Sequence, residues 1–152
     1  MDDAELENML IHQAPDAVIF ADLKGIIREW NPAATRIFDH SPEEAIGQNL
    51  DLIVPERFRE AHWRGYERAL SEGKTKYSGQ ALPTRSVRKD GSTIYVELTF
   101  AIIHNPSGAV IGALAHARDI SDRWAQEREQ RQHLQELEQR LRDVAADTGD
   151  AT

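Results

Sequence analysis

The feature that most restricts this chain is the run from Ile94 to Ile102, in which Ile94, Val96, Leu98, Phe100 and Ile102 alternate with Tyr95, Glu97, Thr99 and Ala101. An extended strand turns successive side chains to opposite faces, so this run buries one face and leaves the other wet. A slip of one residue would expose all five large apolar side chains, so the register is fixed by the pattern itself. Lys89-Asp90-Gly91 precedes the run as a hairpin turn, because glycine tolerates positive φ. Asn105-Pro106-Ser107-Gly108 follows it as a turn with proline at the second position, and Ala109 to Ala117 forms a last strand. Thr75 to Val87 is polar and reads as an edge strand. Three antiparallel strands with one solvated face require helices on the other.

The first half of the chain supplies them. Residues 3 to 12 place Leu6, Met9 and Leu10 at helical spacing and form an amphipathic leader. Asp16 to Asp22 and Ile26 to Trp30 are strands joined by Leu23-Lys24-Gly25. Asn31-Pro32 then starts a helix: Asn caps the orphan amides, and Pro at the first position loses no needed donor. Ser41-Pro42-Glu43-Glu44 repeats the signal as a capping box, and Gly47 closes that short helix. Leu50, Leu52 and Ile53 form an apolar segment closed by Pro55. Glu56 to Glu72 is the longest globular helix, with Phe58, His62, Tyr66, Ala69 and Leu70 as its apolar stripe and Gly73 as its stop.

Beyond Asp119-Ile120-Ser121 the chain turns rich in Glu, Gln and Arg, and Leu134, Leu137, Leu141 and Val144 repeat in 3-4-3 spacing, a two-heptad seam. Glu127 with Arg131, Glu136 with Arg140 and Glu138 with Arg142 stand four residues apart. A helix with so thin an apolar seam needs a partner, although a single solvated helix accounts for the same pattern. The expected organisation is a leader helix over 1–13, a sensory domain over 14–121, a coiled-coil linker over 122–146 and a disordered tail over 147–152.

Composition narrows the function classes. The 152 residues carry a formal net charge of −8, which argues against nucleic acid or an anionic membrane as a direct partner. The chain contains 0 cysteines, so no disulfide scaffold or thiol nucleophile exists. No apolar stretch approaches membrane-spanning length, and the acidic N-terminus is unlike a signal peptide, so a cytoplasmic module is expected. No nucleophile-elbow or phosphate-loop glycine pattern is present, and no histidine pair has zinc-ligand spacing, so no enzyme is expected. His62 stands apart because it lies on an apolar helical stripe. A buried imidazole either bonds a backbone carbonyl as a core histidine or ligates a metal through a ring nitrogen.

The segments "IIREWNPAATRIF", "SPEEAIGQNL", "RKDGSTIYVELTF" and "ALAHARDISDR" together resemble the PAS (S-box) family from about Ala14 to Arg123. The resemblance implies a five-stranded antiparallel sheet with short helices on one face, an α+β fold here flanked by N- and C-terminal amphipathic helices. The stretch from Val54 to Phe100 is similar to haem-binding PAS domains, those of rhizobial oxygen-sensing kinases above all. By that resemblance His62 is the axial ligand of haem b and Arg68 approaches a propionate. Gly79 stands on the strand facing the haem, and Leu98 and Phe100 line the distal gas pocket. Those sensors carry an arginine where this chain has Leu82, two residues beyond Gln80, so Gln80 is left as the candidate polar donor and oxygen as ligand is put in question. Blue-light flavin domains of this shape require a cysteine that this chain lacks.

Two readings follow. One is a haem-based gas or redox sensor that relays a conformational signal through its C-terminal helix to an output domain or partner protein such as a histidine kinase of a two-component system. The other is a cofactor-free PAS module for dimerisation or for binding a small apolar ligand. Both expect a parallel homodimer built on the terminal helices.

Overall fold

The structure, a computed structural model, describes residues 1–76 and 79–150. It forms two compact units, Met1–Asp119 and Ile120–Thr152. In the first, helix α1 (Asp3–His12) leads into β1 (Ala17–Asp22) and β2 (Ile27–Trp30). Helices α2 (Pro32–Phe38) and α3 (Pro42–Ala45) follow, then short 3-10 turns at Leu50–Leu52 and Glu56–Phe58, then α4 (Arg59–Glu72). Strands β3 (Leu82–Val87), β4 (Thr93–His104) and β5 (Val110–Asp119) complete a five-stranded antiparallel sheet in the order β2-β1-β5-β4-β3. The expected fold class is therefore the observed one.

Local chemistry places most boundaries where the sequence puts them. The Ser41 hydroxyl accepts from the Glu44 amide while the Glu44 carboxylate accepts from the Ser41 amide, each at 3.1 Å, which is a closed capping box. That helix ends at Ala45 with Ile46 as its cap, ahead of Gly47. In the β3–β4 turn the Arg88 amide donates to the Ser92 carbonyl, with Gly91 at φ 84°. The polar edge strand starts only at Leu82. Tyr77 and Ser78 of the expected strand lie outside the described residues. The long helix also starts later than its pattern suggests: residues 56 to 58 form a 3-10 turn that breaks the helical phase. Phe58 is consequently 41% exposed and leaves the stripe.

The alternation on β4 holds its register, but its burial is graded. Ile94 and Val96 are buried, Leu98 packs against them, and Phe100 and Ile102 are half-buried. The core joins Ala17 and Ile19 of β1, Ile27 and Trp30 of β2, Ala34 and Phe38 of α2, Ala45 of α3, and Ala117 of β5. It thus fills one half of the sheet's helical face.

One buried polar side chain ties this half together. Asn31 is 2% exposed. Its Oδ1 accepts from the Val18 amide at 2.8 Å and the Ala34 amide at 3.1 Å. Its Nδ2 donates to the Ile11 carbonyl at 2.9 Å and the Asp16 carbonyl at 3.1 Å. The side chain read as a helix cap also bonds the end of α1 and the start of β1. A second link closes β1 to β5: Arg118 holds Asp16 through both carboxylate oxygens, at 3.0 and 3.1 Å.

In the second unit α5 runs from Ser121 to Asp150. It continues through residues 147–150, where composition predicts disorder. Ala151 and Thr152 of that expected tail lie outside the described residues. Leu134, Leu137, Leu141 and Val144 are all exposed. The Arg123–Glu127 pair is open at 3.8 Å, Arg142 bonds Gln139, and Arg131 stands over the Trp124 ring.

Replacing Asn31 with Ala strands the buried Val18 and Ala34 amides and removes one bond each from the Ile11 and Asp16 carbonyls, so it is expected to cost about 3 kcal/mol. Urea unfolding checks this, and a loss below about 1 kcal/mol would reduce Asn31 to an ordinary cap. His40 provides a pH test. Burial, the largest influence, holds its imidazole below its ordinary range; Glu44 and Asp39 pull the other way, and Lys89 adds to the burial. The unfolded chain therefore binds the extra proton, and stability is complete above pH 6.5 and falls as pH drops below it. His40→Phe is expected to flatten that slope, measured as urea midpoints across the same pH range.

Candidate functional site

Helix α4 carries the candidate ligand. Its half-buried side is Arg59, His62, Trp63, Tyr66, Ala69 and Leu70, a spacing of three and four that closes one helical stripe. No residue of α4 is fully buried, so the helix rests on the domain rather than inside it. Three contacts set its position. The Trp63 indole N–H donates to the Asp51 carboxylate at 2.8 Å. The Tyr66 hydroxyl donates toward the Asp22 carbonyl at 2.7 Å and the Ala21 carbonyl at 3.2 Å, at the end of β1. The Trp63 ring lies over Gly25, where an added Cβ would come within 2.3 Å of it, and Gly25 sits at φ +76°. Trp63 joins the stripe four positions after Arg59 and three before Tyr66. The missing side chain at Gly25 makes its seat.

His62 sits edge-on to Trp63 at a ring distance of 4.9 Å and tilted against Tyr66 at 5.9 Å. Its Nδ1 is buried with no hydrogen-bond partner. Burial lowers its pKa, with Asp51 pulling weakly the other way, so the ring is neutral at pH 7. A neutral imidazole with an unused nitrogen is the form that ligates metal. Burial also pushes the Tyr66 phenol up to about 12, so it remains a donor to the β1 carbonyls.

The sheet offers a flat apolar surface beyond the packed core. Across it, Leu82 pairs with Leu98, Leu98 with Ala117, Phe100 with Ala115 and Ile102 with Ala113. Ala115 and Ala113 pair in turn with Ile19 and Ala21 of β1. Leu82, Leu98, Phe100, Ile102, Ala113 and Ala115 are only half-buried, and α4 packs against β5. Small residues on the middle strand leave that half of the face incompletely covered.

The remaining candidates separate. Leu82, Leu98 and Phe100 come together on β3 and β4 as neighbours. Arg68 is exposed on α4, outside the half-buried stripe, and Gly79 and Gln80 are exposed ahead of β3. Among the described residues no cluster of three or more His, Cys, Asp or Glu could hold a metal ion, so His62 stands as a single donor.

Comparison with known proteins places this geometry. Residues 5–120 match the PAS family, described as the PAS fold. The chain is 30% identical over 132 residues to the sensor protein FixL of Bradyrhizobium diazoefficiens, covering 87% of this chain and 25% of that protein. It is 32% identical over 103 residues to the oxygen sensor protein DosP of Escherichia coli, covering 68% of this chain and 13% of that one. It therefore spans a quarter or less of the length of these relatives. Among solved structures, the PAS domain of a Colwellia psychrerythraea protein superposes with a TM-score of 0.69 at 25% identity, covering 80% of this chain and 99% of that one. A match over three quarters of the sequence, with the sheet order and helices in place, makes the chain a member of the PAS family.

Proposed function

We propose that this chain is the sensory input module of a cytoplasmic signalling protein, that it holds haem b through His62, and that α5 carries its signal to an output partner. The observation that supports the haem reading is the neutral, half-buried His62 ring with one nitrogen unpartnered. The apolar, half-covered face of Leu82, Leu98, Phe100, Ala113 and Ala115 has the character a porphyrin needs. The donor set fits the group: His62 would hold its iron through a ring nitrogen, and Leu82, Leu98 and Phe100 would shield it from water. Arg68, exposed on α4, would offer a cation to a propionate, and Gln80 would be the polar residue left for a bound ligand. When bound, haem supplies a ferrous or ferric iron that takes a diatomic gas.

The chain's own residues then supply the response. Trp63 and Tyr66 fix α4 to the β1–β2 end of the domain, so a change at His62 is felt at Asp51, at Asp22 and on β5, against which α4 packs. Strand β5 lies between β1 and β4 and runs into the chain that forms α5. The exposure of Arg68, Gly79 and Gln80 favours a second reading, a cofactor-free module working by dimerisation or by binding a small apolar molecule. No catalytic role is proposed for either. Among the described residues no helix is long and apolar enough to cross a membrane.

Reconstitution with haemin decides between the two. The haem reading expects a Soret band for the wild type and its loss or displacement in His62→Ala. A wild type that stays colourless establishes the cofactor-free module, and an unchanged band in the variant removes His62 as ligand.

The exposed seam Leu134, Leu137, Leu141 and Val144 is assigned to a second copy of the chain in parallel register, so that paired exit helices leave in one direction. Leu137→Glu places charge in that seam and is expected to weaken the dimer at least tenfold, about 1.4 kcal/mol. Sedimentation checks this, and a wild-type monomer at tens of micromolar would end the idea.

A further inference from the structure

A second concavity does not include His62 in its wall and shares only the start of α4 and Asp51 with the elements that seat it. An open cavity of ≈ 420 Å³ is walled by His40 from the α2–α3 loop, Gln48 and Asn49 ahead of the first 3-10 turn, Arg59 at the start of α4, and Arg88 and Lys89 of the β3–β4 turn. Leu52 is the one apolar residue in the wall, so the space does not suit a hydrophobic ligand. Three cations face it against one carboxylate, Asp51.

The charges in this wall are in different states. Asp51 is committed: its Oδ1 accepts the Trp63 indole at 2.8 Å and lies 3.9 Å from the Arg59 Nε. Arg59 is oriented by the Val54 carbonyl at 3.2 Å and the Asp51 carbonyl at 3.4 Å. Lys89 pairs with Glu44 at 2.6 Å. The Arg88 guanidinium has no hydrogen bond or ion pair among the described residues and acts on Asp90 only through its charge. His40 is 8% exposed, and its Nε2 is buried without a partner. An unpaired guanidinium in a wall with two further cations calls for an anionic occupant.

The geometry points to a binding site for a small oxyanion with two or more negative charges, held by Arg88 with Lys89 and Arg59, and bordered by the Gln48 and Asn49 amides. The planar fork of Arg88 matches two oxygens of a carboxylate or a phosphate equally well, so the shared chemistry is an anionic O–X–O edge on a molecule of total charge −2 or more. Occupancy clamps the α2–α3 loop to the β3–β4 turn, which are already joined by the Lys89 amide donating to the Phe38 carbonyl at 3.0 Å. The site also abuts α4 through Asp51, the residue that anchors Trp63 beside His62. It stands on its own geometry and holds whether or not haem binds.

Calorimetric and amide-NMR titration of the full chain, at constant ionic strength set by chloride, tests it with two probes: inorganic phosphate and succinate. Saturable binding of either is expected, with amide shifts centred on Asn49, Arg88 and Lys89. Binding of phosphate alone assigns a phosphoryl ligand, and binding of succinate alone a dicarboxylate. Arg88→Ala is expected to weaken the bound probe about tenfold or more, and Arg88→Lys, which keeps the charge and loses the fork, by less. Non-saturating shifts with both probes, or an Arg88→Ala protein that binds like the wild type, overturns the proposal.

Discussion

The structure depends on one amide side chain. Asn31 has a carbonyl oxygen and an NH₂ group, and the fold uses both fully: two amides donate to the oxygen, and the nitrogen donates to two carbonyls. Its partners belong to α1, β1 and the segment joining them, and to α2. No other side chain of that size is both double donor and double acceptor except glutamine, which is too long to cap a helix in this way. An aspartate would keep the acceptor and lose both donors. The leader helix is therefore part of the domain, because its last turn and the segment after it satisfy half of the bonds that Asn31 must make.

What was legible in the sequence was local. The cap at Asn31, the capping box at Ser41, the turn at Gly91 and the period-two run on β4 each depend on residues a few positions apart, and each stands in the structure. Three of the four bonds of Asn31 reach 13, 15 and 20 positions away, and no pattern announces them. The strand order β2-β1-β5-β4-β3 was equally silent, since alternation says which face is wet but not which strand lies beside which.

The candidate site shows the same limit. His62 was legible because an imidazole on an apolar stripe carries its own cost. The seat of Trp63 was not, because it is created by the absent side chain of a residue in another turn. The stripe lost Phe58 because a 3-10 turn shifts the phase where the helix starts. The cavity beside His40 was invisible because its walls come from separate stretches of chain, none with a spacing motif. Alternation also could not grade burial: Ile94 and Val96 belong to the packed core, whereas Phe100 and Ile102 extend past it. The division of the sheet into a sealed half and a half-covered one is a tertiary fact.

The seat of Trp63 on Gly25 ties two distant positions into one unit. Any side chain at residue 25 must enter space the indole already fills, and it must do so on a left-handed backbone that side chains seldom adopt. Neither position is then free to drift alone. A larger residue at 25 becomes acceptable only after residue 63 has shrunk, and a shrunken residue 63 gives up the Asp51 anchor that holds the start of α4. A change at residue 25 is therefore tolerated only after one at residue 63, and a bulky aromatic at 63 requires glycine at 25.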